Sequence, residues 1–277
     1  SANKVTKIAG MLNGTSNFIL SNMEEGADFK PTLELAQKEG YAEPDPTFDI
    51  EGMDAAHKIG ILSSLAYGTP LPPDDFYIEG ISKVEKIDFK YAKDMGFTIK
   101  HLAVSKLNNE NIELRAHPVL IKEDSYLANL KSVRNGIEIE TDLLGTLHIA
   151  GSGAGQESTA SGVISDLVHL ANSNNNTKEI NLSNKKKLID FLSLSFQYYF
   201  YIEAEDIPGV MASITSMFAE KKIGIESIVQ KEDLKDNMVP IVLITDLFLE
   251  KEHDDLLKNI LNLDSVFKVR SIRIEID

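Results

Sequence analysis

The sequence predicts an α+β fold in two parts: a mixed sheet with helices on one face, then a smaller βαββαβ unit. Three observations carry the prediction. Two pairs of strand-like segments flank turns at Asn108-Asn109 and at Gly145. Apolar residues recur at helical spacing after Met53. Beyond an Asn-rich stretch, strand and helix patterns follow in the order βαββαβ.

The elements read in order as follows. Val5 to Leu12 is a strand that ends at Asn13-Gly14-Thr15, and a helix runs on to about Met23. Pro31 to Glu39 is a short helix, with Pro31 in its first turn and Gly40 just past its end. A longer helix covers about Met53 to Ala66. Its stripe of Ala55, Ile59, Leu62 and Ala66 faces a core, and Ile61 and Leu65 are expected to widen it. GTPLPPDD breaks the chain. TIKHLAVSKL pairs with NIELRAHPVLI, and IEIETDLL with TLHIAG. GSGAG leads into a helix from about Glu157 to Ala171. The polar residues from Asn172 to Lys187 read as a flexible linker. Then come the strand QYYFYIEA, a helix from Gly209 to Lys221, strands IESIVQKE and VPIVLITDLF, a helix from His253 to Leu261, and the strand VFKVRSIRIEI. That order is the ferredoxin-like pattern.

Composition bounds the function. With 277 residues the chain can hold two cores. A formal net charge of −15 disfavours nucleic acid and anionic membrane surfaces as partners. There is no cysteine, so disulfides, thiolate nucleophiles and cysteine–zinc sites are excluded, and a reducing cytoplasm is compatible. No apolar run reaches the ~20 residues that span a bilayer, and the start carries no secretory signal pattern. The six histidines keep no metal-ligand spacing. His57 is expected to face solvent or pack, and His117 to be structural. The first strand begins almost at once, as in the middle of a domain, so the chain reads as a piece of a longer protein.

The densest chemistry lies between Gly40 and Lys58, GYAEPDPTFDIEGMDAAHK. Five carboxylates and one lysine occupy a loop that runs into a helix. Asp54 lies four residues before Lys58, so the two share one helical face. An amine beside fixed carboxylates can move a proton or hold a second amine, and the neighbouring acid favours the charged amine. A solvated acidic loop with one exposed ion pair is the plainer reading. Calcium is not supported, because Asp45, Asp49 and Glu51 do not keep EF-hand order.

Ala36, Gly40, Tyr41, Ala42, Asp45, Pro46, Asp49, Gly52, Asp54 and Lys58 together fit a longer pattern. It runs Ala-x3-Gly-aromatic-small, acid-Pro, Asp-x-x-Gly-x-Asp-x3-Lys, and it resembles the homoserine dehydrogenase family. The resemblance implies reversible reduction of L-aspartate 4-semialdehyde to L-homoserine with NADPH or NADH. It implies that Lys58 is the proton donor and that Asp54 orients it. Glu43 would hold the substrate ammonium, with Asp49, Tyr41, Gly14 and Thr15 nearby.

Asn13-Gly14-Thr15 matches the family's NGT and suits a carboxylate or the cofactor's amide, with Asn13 on the cofactor side. A plain turn with a helix cap is the simpler explanation of the tripeptide taken alone. Gly151-Ser152-Gly153-Ala154-Gly155 is similar to the family's GPGAG stretch, which closes over the cofactor, and Gly155 is the position carried over. Ser152 stands where proline is usual. A tight turn that lets backbone approach backbone is the alternative. No GxGxxG fingerprint occurs, and the resemblance implies that most of the NADP or NAD site lies in an amino-terminal Rossmann domain that this chain lacks. Without it the chain is expected to be inactive.

Asp206-Ile207-Pro208-Gly209-Val210 opens the first helix of the βαββαβ unit and resembles ACT domains, which bind small amino acids. Asp206, Pro208, Gly209 and Val210 would contact an effector such as threonine; a proline in the first helical turn is the plain alternative. The implied division is a catalytic and dimerisation region over 1–171, a linker over 172–195 and an ACT unit over 196–277. The implied assembly is a cytoplasmic homodimer or homotetramer. An amino-acid-sensing dimerisation module is the rival function.

Overall fold

A computed structural model describes residues 3–70, 76–153, 155–172, 182–183, 185–230 and 237–276. Contacts divide the chain into two units, Ser1–Pro118 with Lys122–Ile189 and Val119–Ile121 with Asp190–Asp277. In the first unit the elements are β1 (Val5–Met11), α1 (Gly14–Glu24), α2 (Phe29–Lys38), α3 (Thr47–Ile50), α4 (Met53–Tyr67), β2 (Tyr77–Ile78) and α5 (Lys86–Asp94). They continue with β3 (Phe97–Asn108), β4 (Asn111–Lys122), β5 (Arg134–Thr141), β6 (Gly145–Ser152), α6 (Gln156–Asn172) and β7 (Lys187–Leu188).

The sheet order is β6-β5-β1-β3-β4, so β1 is inserted between the two hairpins. It pairs antiparallel with both neighbours, Ile8 opposite Ser105 on one side and Ile139 on the other. The short strands β2 and β7 join β4 in parallel, which makes the sheet mixed. Helix α4 covers one face, packing Ala55, Ala56 and Ile59 on Ile8, Ala103, Ile112 and Leu114. Ile61 and Leu65, expected to widen that stripe, are instead 50% and 52% exposed. The helix buries only the narrow row that reaches the sheet, and its small residues Gly60, Ser63 and Ser64 complete that row.

Two α-helices escaped the sequence reading. α5 is fastened by the Asp88 carboxylate, which accepts the Glu85 N–H at 3.0 Å. The one-turn α3 sits inside the acidic loop, where four residues are too few for periodicity to show. The linker expected over 172–195 is also more structured at its end. Lys187 and Leu188 pair with Asn111 and Ile112; residues 173–181 and 184 lie outside the described ones.

A buried cation braces the turn between β4 and β5. Lys100 in β3 is fully buried and donates from Nζ to the Leu130 carbonyl at 3.0 Å. Burial, aided by nearby Lys131, lowers its pKa to about 8. Asn17 donates to the Leu130 and Arg134 carbonyls at 3.3 and 3.1 Å. These bonds fix the stretch that leads to Asn135.

The second unit comprises β8 (Ser195–Glu205), α7 (Val210–Glu220), β9 (Ile225–Gln230), β10 (Met238–Thr245), β11 (Phe248–Leu249), α8 (His253–Leu261) and β12 (Val266–Ile274). The sheet order β12-β8-β10-β9 is antiparallel throughout, as the βαββαβ pattern requires. Strand alternation puts Phe196, Tyr198, Phe200 and Ile202 of β8 on the face that receives Ile214 and Phe218 of α7 and Leu256 and Ile260 of α8. Arg273 grips the buried Glu250 with two bonds, at 2.6 and 3.0 Å, and the Tyr198 hydroxyl donates to the same carboxylate.

Candidate active site

The side chain of Asn13 is the hub of the acidic loop. Its Oδ1 accepts the Ser16 N–H at 2.8 Å and caps α1. Its Nδ2 donates to Asp49 Oδ1 and to Asp54 Oδ2, each at 2.8 Å. Asp54 Oδ2 also accepts from Lys58 Nζ at 2.6 Å, one turn along α4. The same Nζ donates to the Leu12 carbonyl at 3.0 Å. Two carboxylates thus meet on one amide, and one ammonium balances only one of their two charges. The surplus negative charge attracts a further cation. Asp54 is 20% and Lys58 45% exposed at the side chain, so this pair can exchange protons with a bound molecule and with water.

Other predicted residues serve the loop in other ways. Thr15 is buried, and its hydroxyl donates to the Tyr41 carbonyl at 2.6 Å. Ser16 Oγ donates to the Asp49 carbonyl at 3.0 Å. Gly14 is buried in the first turn of α1. The Tyr41 ring packs on Phe18 with centroids 5.1 Å apart. Glu43 is exposed, and its backbone carbonyl is held by Gln37 at 3.1 Å. Asp45 turns to Thr47, whose hydroxyl and N–H hold its pKa below the usual value. His57 is exposed and meets Phe48 edge-on at 5.3 Å, and His117 is buried in β4.

The loop is braced from behind at Gly52 by residues the sequence reading passed over. Gly52 caps α4 at φ 86, and a Cβ there would lie 2.9 Å from His101 Nε2. That nitrogen sits 2.9 Å from the Glu79 carbonyl, so it carries the proton. Burial lowers the His101 pKa and keeps the ring neutral. The Ile81 N–H donates to the Ile50 carbonyl at 2.8 Å and straps α3 down. No local pattern marks these contacts, because they join chain segments far apart in sequence.

The glycine-rich turn reaches the same place from the other hairpin. The Gly153 N–H donates to the Val133 carbonyl at 3.3 Å, and Asn135 Nδ2 donates to the Leu12 carbonyl at 3.0 Å. Gly155, at φ 110, precedes α6 and accepts from Ser158 and Thr159. Gly151, Gly153 and Gly155 are exposed and leave the start of α6 uncovered, as a phosphate or amide would need. No described residue of α6 is buried; Val163, Ile164, Leu167, Val168 and Leu170 are 54–64% exposed.

In the second unit Asp206, Pro208, Gly209 and Val210 line a cavity of about 330 Å³ with Gln230 and Ile241. Gln230 Nε2 donates to Asp206 Oδ1 at 3.2 Å. Gly209 takes φ 100 as the N-cap of α7.

A lysine bonded to a carboxylate, in a negatively charged loop on an α/β scaffold, belongs to the class of sites that can pass a proton to a small cationic molecule. Comparison with known proteins narrows the class. Residues 1–168 match the profile of the homoserine dehydrogenase family. Homoserine dehydrogenase of Pseudomonas aeruginosa is 42% identical over 287 residues, spanning 99% of this chain and 66% of that protein. The crystal structure of a homoserine dehydrogenase from Thiobacillus denitrificans superposes with a TM-score of 0.88 at 40% identity, over 99% of this chain and 65% of that one. A hyperthermophilic archaeal homoserine dehydrogenase in complex with NADPH gives a TM-score of 0.51 at 28% identity, over 61% of this chain and 48% of that one. The chain belongs to the homoserine dehydrogenase family and spans about two thirds of the length of the relatives it matches. Among the described residues no helix is long and apolar enough to cross a membrane.

Proposed function

We propose that this chain is the substrate-binding and proton-transfer portion of a homoserine dehydrogenase that interconverts L-aspartate 4-semialdehyde and L-homoserine. The observation that carries the reading is the Asn13–Asp49–Asp54–Lys58 cluster. Its surplus negative charge suits the α-ammonium of the substrate, with the exposed Glu43 as a further carboxylate. Lys58 Nζ donates a proton to the aldehyde oxygen as its carbon is reduced, and takes one from the hydroxyl in the reverse direction. Asp54 and the Leu12 carbonyl hold the ammonium in place meanwhile. Because Lys58 is 45% exposed, the neutral amine regains its proton from solvent. A nicotinamide cofactor, NADP or NAD, supplies or accepts the hydride when bound. Gly155 and the first turn of α6 would hold part of it. Asn13 has both side-chain ends engaged, so it would contribute through its backbone.

The chain alone is proposed to be inactive, for want of a Rossmann domain. The uncovered apolar row of α6 supports this, since so wide an apolar row on one helix favours a packing partner. The full-length protein is expected to oxidise NADPH or NADH when aspartate semialdehyde is added, and the 277-residue chain is not. Absence of turnover by the full-length protein would sink the substrate assignment. Turnover by the chain alone would sink the claim of inactivity.

The cavity at Asp206–Val210 favours a second, compatible reading of the other unit as an ACT-type amino-acid sensor. Calorimetric titration with threonine is expected to give saturable heat that Asp206→Ala abolishes. No heat with either protein removes threonine as the effector.

A further inference from the structure

We infer that Asn135 is a positioning residue for proton transfer, acting on Lys58 through the carbonyl of Leu12. The inference rests on the reading of Lys58 as the proton donor. Asn135 stands at the start of β5, more than seventy residues from Lys58 in the chain. Yet its Nδ2 donates to the Leu12 carbonyl at 3.0 Å, the same oxygen that Lys58 Nζ meets at 3.0 Å. The two donors converge on one acceptor from different elements. The amide fixes where that lone-pair region points, and with it one of the two anchors of the ammonium; the other is Asp54.

Two further observations assign the side chain to this task. The first concerns its other end. Asn135 Oδ1 is buried and has no hydrogen-bond partner among the described residues. A buried acceptor left unpaired costs stability. An apolar side chain here would leave no such oxygen without a partner, so packing alone does not call for an amide at this position. Among the described residues its one side-chain bond goes to the Leu12 carbonyl.

The second is the contact with the glycine-rich turn. A Cβ on Gly153 would stand 2.6 Å from Asn135 Oδ1 and closer still to Nδ2. Gly153 therefore lies directly against the amide and fills the space on that side. Lys100 and Asn17 brace the stretch ahead of it from below by gripping the Leu130 and Arg134 carbonyls. Asn135 is thus held between Gly153 and the Leu12 carbonyl, and it ties the position of Gly153 to that of the lysine.

The experiment compares Asn135→Ala, Asn135→Asp and Lys58→Ala in the full-length enzyme. Both Asn135 variants are expected to lower kcat by about 10- to 100-fold, as for a reacting group displaced by a fraction of an ångström to an ångström. KM for aspartate semialdehyde is expected to stay within about threefold. Asn135→Asp has nearly the same shape but cannot donate, and it places a carboxylate near the ammonium. It is expected to raise the pKa of the lysine limb in the kcat–pH profile by about one unit, a shift that Asn135→Ala does not produce. A residue that served only folding would lower thermal stability and leave both kcat and the limb in place. Unchanged kcat and an unmoved limb in both variants, with Lys58→Ala inactive, overturn this inference alone. An active Lys58→Ala overturns the reading beneath it.

Discussion

Lys58→Ala in the full-length enzyme is expected to lower kcat by about 10²- to 10⁴-fold, the usual contribution of a positioned acid or base. KM should change little, because the ammonium holds the oxygen most strongly as negative charge develops there. Lys58→Arg should not restore the rate. A guanidinium keeps the charge but does not give up its proton near neutral pH, and its planar fork does not fit the bonds that Nζ makes to Asp54 and Leu12. Steady-state kinetics in both directions check this. A kcat within a few-fold of wild type in Lys58→Ala would remove the lysine from the chemistry.

The largest effect on stability is expected from Gly80→Ala. Gly80 is buried beside α3, and an added Cβ would overlap the Ile50 carbonyl oxygen and lie 2.5 Å from Glu51 Cα. Both obstacles are backbone, so no side chain can swing away. The strap from Ile81 to Ile50, 2.8 Å long, would have to lengthen. A loss of about 2–4 kcal/mol is expected, somewhat above the ordinary cost of overpacking. It would be read from the denaturant midpoint at unchanged slope. Because α3 carries Asp49, the surviving folded protein should also lose activity. A midpoint equal to wild type would show that the two segments joined by this strap have room to part.

Much of the scaffold was legible in the chain. The β1 strand, the two hairpins and the βαββαβ order follow from alternation, turn residues and helical spacing, which are local properties. The pairing of Asp54 with Lys58 was legible too, since four residues on a helix bring two side chains onto one face whatever surrounds them. Periodicity erred where exposure depends on reach: Ile61 and Leu65 have helical spacing, but the sheet does not extend beneath them. It was silent where an element is one turn long, as in α3, or where a strand has two residues, as in β7.

The sequence by itself set out the residues to which the chemistry is assigned by proposal: an acid-rich loop, a lysine one turn past its last acid, and a glycine-rich turn before a helix. It also determined the family. Only the tertiary structure decided how these parts meet. Asn13, read from the chain as a cap or a cofactor contact, is the bridge that gathers Asp49 and Asp54. His101, Gly80 and Asn135 brace the site without belonging to any motif. The physical reason is that hydrogen bonds and close packing act over a few ångströms in space. Strand order in the sheet, fixed by the sum of long-range pairings, brings residue 12 beside residues 58 and 135.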